Sequence, residues 1–374
     1  MTSPGTMEPS PRDQLDRLWR RGCDFLGTRY AILGGAMTWV SERNLVAAIS
    51  NGGGFGVIAS GSMGPDRLAE EIDATRALTD RPFGVNLITL HPQLLDLVAV
   101  CAGRGVSHVV LAGGLPPAPA VAAIKAAGAK AICFAPALSI ARKLVRSGAD
   151  AIVIEGMEAG GHIGPVATSV LAQEILPHLR EVPVFVAGGI GRGEAMVGYL
   201  EMGAAGCQLG SRFVCATESI AHPAFKKAFL RANARDAVPS IQLDARFPVI
   251  PVRALANAAT RRFAEKQREV IERFDSGELN QKEAQLEIEH FWAGALRRAV
   301  IDGDVETGSV MAGQSVGMVV REEPTAAILE ELVEQAAAAL AMRSDLSRAA
   351  GKGCSSSAGS SSAGSSNDGV GAAR

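Results

Sequence analysis

Short apolar runs alternate with Ala- and Leu-rich stretches of helical character along the first 210 residues. Most runs are apolar throughout, as expected for parallel strands that are covered on both faces. One predicted helix separates each run from the next, an order that predicts an α/β fold of the (β/α)8 TIM barrel type. A doubly wound open sheet is the alternative, with less support because no Gly-x-Gly-x-x-Gly turn follows the first run. The predicted strands are 30–33, 55–59, 83–88, 106–111, 131–134, 151–155, 182–187 and 206–209.

The pattern changes after the eighth run. A helical and charged region follows, which predicts a helical subdomain appended over one end of the barrel, and an amphipathic helix is predicted near the end of the chain. Both chain ends are polar or rich in Ser, Gly and Ala, and such segments bury too little apolar surface to fold. The predicted divisions are a disordered N-terminus (1–13), the barrel (14–220), the helical subdomain or lid (221–303), a return loop with a closing helix (304–345) and a disordered tail (346–374).

Composition and charge exclude several classes of partner. The formal net charge is −2 in 374 residues, so neither nucleic acid nor a membrane surface is expected as a partner. No apolar run is long enough to predict a membrane span, and the polar N-terminus lacks the apolar core of a signal peptide. The six cysteines are scattered without a Cys-x-x-Cys pair, which predicts reduced thiols and a cytoplasmic protein. No His, Asp or Glu cluster has metal-ligand spacing, so no metal is expected.

The stretch 152–165 is the strongest candidate for chemistry. A β-branched run ends there in a loop that holds one histidine, His162, and four glycines, at positions 156, 160, 161 and 164. Glycine lets a backbone come close to a bound ligand because it has no Cβ. The ordinary pKa of an imidazole suits proton transfer near neutral pH. The loop therefore predicts a site in which His162 faces whatever binds.

Two glycine turns follow the seventh and eighth predicted strands, where phosphate often binds in barrels of this kind. They are Gly188-Gly189 and Gly210-Ser211. Both offer backbone N–H groups next to helix starts, and phosphate is held by such groups. The alternative is that they are simple tight turns.

Three further strands end in glycine or in a polar residue. Gly34-Gly35-Ala36-Met37 follows the first strand, Asn86 lies near the end of the third, and Glu155 closes the sixth. The carboxyl ends of the strands in a barrel share one rim, so these residues should lie near His162. The alternatives are a capping role for Asn86 and a salt bridge with a rim Lys or Arg for Glu155.

These motifs together resemble the nitronate monooxygenase (2-nitropropane dioxygenase) family, which includes FMN-dependent enoyl-ACP reductases. The motifs at 34–37, 155–164, 187–190, 208–213 and 308–315 occur in the family's order, over about residues 28–320. The resemblance implies a TIM barrel that binds FMN, with His162 as the catalytic residue and the phosphate on the two glycine turns. The positions that it assigns to the cofactor are Gly35, Ala36, Met37, Asn86, Glu155, Gly160, Gly161, Gly188, Gly189, Gln208, Leu209, Gly210 and Ser211.

The resemblance leaves two activities open. Glu155 and Ile163 look like the reductase branch, whereas the long helical insert, with its motif at 291–298, resembles proteins of the monooxygenase type. The leading expectation is a nitronate monooxygenase that oxidises alkyl nitronates with O2 to a carbonyl compound and nitrite. The alternative is an NADH-dependent FMN enoyl-ACP reductase that acts on an enoyl thioester. A non-catalytic flavin-binding module is a third hypothesis. The late helices permit a homodimer without requiring one.

Overall fold

The eight predicted strands are present in the computed structural model, which describes residues 9–247, 250–291 and 294–355. Along the chain the strands are β1 (Ile32–Gly34), β2 (Gly56–Ala59), β3 (Phe83–Ile88), β4 (His108–Ala112), β5 (Lys130–Phe134), β6 (Ala151–Glu155), β7 (Gly161–His162), β8 (Val184–Ala187) and β9 (Gly206–Leu209). All but β7 form one parallel sheet in the order β1-β9-β8-β6-β5-β4-β3-β2. A hydrogen bond from the Gly34 N–H to the Phe55 carbonyl (2.9 Å) joins β1 to the start of β2. The sheet therefore closes into the predicted TIM barrel.

Helices alternate with these strands and continue after β9. They are α1 (Pro11–Leu26), α2 (Arg43–Asn51), α3 (Pro65–Leu78), α4 (Leu94–Gly103), α5 (Ala118–Ala126), α6 (Leu138–Arg146), α7 (Thr168–Ile175), α8 (Gly193–Glu201), α9 (Ser211–Val214), α10 (Pro223–Arg231), α11 (Ala258–Asp275), α12 (Gln281–His290), α13 (Ala295–Val300) and α14 (Thr325–Ser355). Helices α2 to α8 are the seven that the sequence predicts between successive strands. None of the described helices is long and apolar enough to cross a membrane.

Apolar side chains fill the barrel interior. Val110, Val153 and Phe185 are among the fully buried residues of this inner cluster. Side chains alternate between the two faces of a strand, so the position two residues after Val153 also points inward. That position is Glu155, at the carboxyl end of β6. The mouth of the barrel therefore carries polar groups above an apolar interior.

The sequence pattern does not predict α1, and the predicted disorder of residues 1–13 is wrong for the last three of them. Ser10 and Asp13 form a capping box at the start of the helix. Trp19 is buried against the barrel and stabilises the helix there. The remaining part of the predicted disordered segment, 1–8, lies outside the described residues.

The closing helix is longer than predicted. Helix α14 ends at Ser355, so the predicted disorder of 346–374 is wrong up to that residue. Its first turns are anchored by Leu329, Leu332 and Val333, which are fully buried. The polar residues that follow remain compatible with a helix that has already begun, because propagation is easier than nucleation. Residues 356–374 lie outside the described residues.

The predicted helical subdomain at 221–303, here called the lid, also contains two short strands. Strand β10 (Ala237–Pro239) pairs antiparallel with β11 (Val252–Leu255), and β11 pairs antiparallel with β7. Segments of two to four residues are too short for a periodic pattern, so the sequence does not predict them. Helices α11 and α12 form a separate hairpin around a small apolar cluster of Phe247, Phe263, Val270, Ala284 and Ile288.

Candidate active site

Two polar side chains lie at one level of the barrel mouth. Glu155 on β6 and Gln208 on β9 are each in register with Ala187 on the strand between them. Residues in register on neighbouring strands share a face, so all three point into the barrel. Gln208 is only 8% exposed and Glu155 is half-buried. Within the described part of the chain neither side chain has a hydrogen-bond partner. Buried polar groups are normally paired, so this pair is suited to hold a polar ligand.

Burial has a large effect on the Glu155 carboxyl group. Desolvation raises the pKa of Glu155 to about 8. The group is therefore mostly protonated at neutral pH and can donate a hydrogen bond as well as accept one. The alternative role for Glu155, a salt bridge with a rim Lys or Arg, is not found among the described residues.

Asn86 also reaches the barrel interior but is partly committed to the scaffold. Its amide nitrogen donates to the Val110 carbonyl on β4 (3.2 Å), and its backbone carbonyl accepts from the Ser60 hydroxyl (2.5 Å). The side chain is 5% exposed and caps no helix, so the capping alternative is wrong. The oxygen of its side-chain amide remains available to accept a hydrogen bond from a ligand at the mouth.

The loop after β1 lies against the loop after β9. The Gly35 N–H donates to the Leu209 carbonyl (2.8 Å), and a Cβ on Gly35 would lie 3.5 Å from Gly210. The Ser41 hydroxyl donates to the Gly35 carbonyl (2.7 Å) and accepts from the Met37 N–H (3.0 Å), which fixes the turn that carries Ala36. The Leu209 side chain is buried in the core, so only its backbone reaches this loop. The structure thus brings together the predicted positions of the first and last strands.

The turn after β8 requires glycine. Gly188 and Gly189 have φ values of 96° and 72°, a left-handed conformation that other residues rarely adopt. A Cβ on Gly188 would also come within 3.0 Å of the Gly156 carbonyl and the Thr168 hydroxyl. The turn leads into α8, but the Gly193 N–H at its start already donates to the Gln335 side chain (2.9 Å). Anion binding here therefore depends on the amides of the turn itself.

A cavity of about 400 Å³ opens beside this turn. Gly188 and Gly189 form part of its wall, and the polar groups in the wall come from Glu158, Tyr199, Arg235 and Gln314. Arg235 is exposed and has no ion pair within the described part of the chain. The sequence does not predict Arg235 as a site residue, because it lies in the lid and only the fold brings it to the cavity. A guanidinium beside an amide-lined turn favours an anionic group. The Glu158 carboxylate in the same wall opposes one, although it already accepts hydrogen bonds from the Thr168 N–H and hydroxyl.

The segment 308–315 ties the loops of the mouth to one another. The Gly313 N–H donates to the Ser211 hydroxyl (3.0 Å), and the Gln314 N–H donates to the Glu158 carbonyl (2.9 Å). On its other side the Leu255 N–H of β11 donates to the Val310 carbonyl (2.8 Å). The segment therefore connects the turn after β9, the loop after β6 and the lid.

His162 lies on a strand of the small sheet rather than in a free loop. It is in register with Val252, and the next N–H, of Ile163, donates to the Pro251 carbonyl (3.0 Å). The imidazole is open to solvent on one side and has no hydrogen-bond partner among the described residues. The protein around its other sides desolvates the ring and lowers the pKa of His162, so the imidazole is neutral at pH 7.

Two of the four loop glycines are needed for packing within the chain. A Cβ on Gly156 would overlap the Thr168 backbone, and a Cβ on Gly160 would lie 2.6 Å from the Gly313 nitrogen. At Gly156 and Gly160 the space beside the Cα is filled by the protein itself, so the prediction that the loop glycines make room for a ligand is wrong at these two residues. Gly161 has a left-handed φ of 77°, and a Cβ on Gly164 would have no neighbouring atom within 4 Å. Of the four, only Gly164 faces open space.

Comparison with known proteins places the chain in a family. The family model described as nitronate monooxygenase matches residues 20–104 and 95–335. The chain belongs to the nitronate monooxygenase family. The resemblance indicated by the sequence motifs is therefore confirmed. Proteins of this family are flavin-dependent oxidoreductases in general, and the chain is an oxidoreductase of that family.

Several known proteins are similar to this chain over more than half of its length. A 5-hydroxy-7a-methyl-1-oxo-octahydro-1H-indene-4-carboxyl-CoA dehydrogenase from Mycobacterium tuberculosis is 35% identical over 59% of the chain, which spans only 62% of that relative's length. A nitronate monooxygenase from Paraburkholderia phytofirmans is 29% identical over 63% of the chain and 76% of its own length. The solved structure of FabK from Thermotoga maritima has a TM-score of 0.77 and 36% identity, and the match covers 89% of this chain and 98% of that one.

The residues present fit a flavin nucleotide. The mouth offers an unpaired carboxyl group on Glu155 and an unpaired amide on Gln208, which suit a polar cofactor buried in the barrel. The turn at Gly188 and Gly189 opens on a cavity large enough for a phosphate group. In the described part of the chain no group of three His, Cys, Asp or Glu side chains could hold a metal ion.

Proposed function

We propose that this protein is an FMN-dependent, NADH-linked reductase of an enoyl thioester. The observation that carries the proposal is the electrostatic character of the mouth. His162 is neutral at pH 7 and Glu155 is mostly protonated there. Gln208 and Asn86 add only neutral amides. A mouth of this kind suits a neutral acyl thioester better than a nitronate anion, which would be stabilised by a fixed positive charge.

Similarity to other family members supports the same choice. The relative from Mycobacterium tuberculosis is named as a dehydrogenase of a carboxyl-CoA compound, which is a thioester. The identities to that relative and to FabK, 35% and 36%, exceed the 29% identity to the nitronate monooxygenase. The proposal therefore differs from the leading expectation of the sequence motifs, which is a nitronate monooxygenase.

The cofactor would be held by the groups described above. Glu155, Gln208 and Asn86 would hydrogen-bond its polar atoms, and the turns at Gly188-Gly189 and Gly210-Ser211 would receive its phosphate. When bound, FMN supplies the two-electron chemistry that side chains lack. In the net reaction NADH is oxidised to NAD⁺, the alkene carbon β to the thioester gains a hydride, and the α carbon gains a proton from solvent or a side chain.

The side chains of the mouth have separate tasks in this reaction. The neutral imidazole of His162 would donate an N–H hydrogen bond to the thioester carbonyl and draw electron density from the alkene. A neutral imidazole can donate this hydrogen bond without carrying a net charge. Glu155 would donate a hydrogen bond from its protonated carboxyl group to the flavin ring system and so orient that ring next to the substrate. The apolar barrel below would exclude water.

Nitronate oxidation is the second candidate, because the nitronate monooxygenase from Paraburkholderia phytofirmans is matched over 76% of its length. The substrates would be an alkyl nitronate and O2. In that reaction the anion would need a cationic partner, and a protonated His162 would be the one available at the mouth. Activity would then rise as the pH falls through the lowered pKa of His162.

A comparison of two substrates tests the proposal. FMN-loaded protein would be assayed with NADH plus crotonyl-CoA, and separately for oxygen uptake with propyl nitronate. We expect crotonyl-CoA-dependent consumption of NADH and no nitronate-dependent oxygen uptake. The opposite result would support the second candidate, and a protein that binds no FMN would contradict both.

A further inference from the structure

Arg253 is a buried cation at the junction between the lid and the His162 loop. It lies on β11 in register with Gly161, next to the pair that Val252 forms with His162. Only 2% of the residue is exposed. Its Nε donates to the Met157 carbonyl (3.0 Å), and one terminal nitrogen donates to the Ala237 carbonyl on β10. One side chain thus joins the two strands β10 and β11 of the lid to the segment around Met157, which is distant in sequence.

Arg253 has no carboxylate partner among the described residues. Glu158 is the one acidic group whose charge acts on it, and that carboxylate accepts hydrogen bonds from the Thr168 N–H (2.9 Å) and hydroxyl (2.8 Å). Taking a guanidinium out of water without an ion pair is unfavourable. Its main-chain contacts must offset that cost, which indicates that holding these carbonyls in place has a function.

The loop between β6 and β7 has contacts besides those of Arg253, because the carbonyl of Glu158 in its middle accepts from the Gln314 N–H (2.9 Å) and the Glu158 carboxylate accepts from Thr168. The loop is also held at each end. Its first part is held by the Met157 N–H, which donates to the Val166 carbonyl (2.8 Å), and its far part by the pairing of His162 with Val252. Arg253 joins the Met157 carbonyl to the strand that carries Val252. The guanidinium therefore links the start of this loop to the strand that pairs with its far end, where His162 lies.

We propose that Arg253 is a positioning residue, which fixes the segment 157–162 against the lid and so sets the place of the His162 imidazole at the end of that segment. The proposal rests on the proposed function for what the imidazole does there, but not for the contact itself. A planar guanidinium reaches two carbonyls on different segments at once, whereas the ammonium of a lysine is a compact point charge on a flexible stem. Lysine should therefore replace it only in part.

The test uses Arg253→Met and Arg253→Lys in the full, FMN-loaded chain. Arg262→Met is the matched control, because Arg262 is exposed on α11 of the same lid. Hydrogen exchange of the amides at 157–163 is measured first. We expect at least tenfold faster exchange in Arg253→Met, a smaller increase in Arg253→Lys and no change in Arg262→Met. Exchange in the barrel strands shows whether each variant is folded.

The two halves of the reaction are then measured separately. Reduction of the flavin by NADH should change less than twofold in Arg253→Lys, whereas reoxidation by crotonyl-CoA should slow about tenfold. Unchanged exchange at 157–163 in both variants would overturn the proposal. If wild-type protein is not reoxidised by crotonyl-CoA, the proposed function fails, and the exchange result still decides the role of Arg253. If Arg253→Met does not fold, Arg253→Lys carries the test.

Discussion

Glu155 and Gln208 face the barrel mouth at the same level, two strands apart, with Ala187 between them. One is a carboxyl group and the other an amide, and neither has a partner within the described part of the chain. A barrel interior is normally filled by apolar side chains, as it is below this level. Two unpaired polar groups should therefore lower the stability of the ligand-free barrel, as expected of a pair that holds a polar ligand, and this effect on stability can be measured.

The stability of flavin-free protein should depend on the ionisation of Glu155. Its pKa is raised from the ordinary 4.5 to about 8, so the protonated form favours the folded state. Stability from this group is complete below the ordinary pKa and is lost as the pH rises from about 4.5 through 8. The free energy of unfolding should fall by roughly 4 kcal/mol over this pH range. Urea unfolding at pH 5 and pH 9 should show it in wild-type protein.

Glu155→Gln removes the titrating proton and should be more stable than wild type at pH 9 by most of that amount. Glu272→Gln, at an exposed position on α11, is the control and should follow wild type. The contrary result would be a free energy of unfolding that falls by the same amount in wild type and in Glu155→Gln between pH 5 and pH 9. That result would show that Glu155 is ionised in the folded protein.

His162 should be needed for turnover but not for the flavin. His162→Gln should retain FMN and lose about 100-fold or more in the rate of flavin reoxidation by the thioester. The exposed His178 provides a control in His178→Gln, which should retain wild-type rates. Because the pKa of His162 is lowered, the wild-type rate should stay constant as the pH falls to 6.5 and should decline only at lower pH, where the imidazole becomes protonated. A rate that rises on acidification would point to a protonated imidazole instead.

The loop glycines offer a matched pair. Gly160→Ala should destabilise the protein by about 2 kcal/mol, because the new methyl group would lie 2.6 Å from the Gly313 nitrogen. Gly164→Ala has open space around its Cβ and should change the free energy of unfolding by less than about 0.5 kcal/mol. Thermal or urea unfolding of both variants checks this. Equal effects would mean that the loop does not pack on the segment 308–315 as described.

Arg235 should contribute to the choice of FMN over riboflavin. It is exposed in the wall of the cavity beside Gly188 and Gly189, so reversing its charge should weaken a phosphate there. Arg235→Glu should raise the Kd for FMN about threefold to tenfold, in line with exposed charge pairs, and leave the Kd for riboflavin unchanged. Arg231→Glu, on α10 outside the cavity lining, is the control. Flavin fluorescence measures both constants, and equal weakening for both flavins would exclude a phosphate contact.

The sequence predicts the barrel well because each strand is encoded locally. Residues such as 83–88 and 151–155 are apolar for most of their length, and the observed strands have those same bounds. The same pattern puts Glu155 at the end of its strand, where it meets Gln208. Helix α1 is not predicted, although its capping box of Ser10 with Asp13 is a local signal that the sequence contains. The polar and proline-bearing residues around that box favour a disordered terminus, and the burial of Trp19 outweighs them.

What the sequence does not predict is non-local. Strand β7 exists only because β11, about 90 residues later, pairs with it. No local pattern marks Arg253 or Arg235, since each reaches its site through the path of the lid. The glycine at 160 stands out in the sequence, but nothing local shows that the space beside its Cα is filled by Gly313. Contacts of this kind follow from the tertiary fold.

The most direct test of the account is a single anaerobic mixing experiment. Protein whose flavin has been bleached by one equivalent of NADH is mixed with crotonyl-CoA, and protein with oxidised flavin is mixed in parallel with propyl nitronate. The neutral side chains of His162 and Glu155 predict rapid return of the yellow absorbance with crotonyl-CoA, together with formation of butyryl-CoA. A flavin that stays bleached with crotonyl-CoA, in protein whose oxidised flavin is reduced by propyl nitronate, would contradict the account.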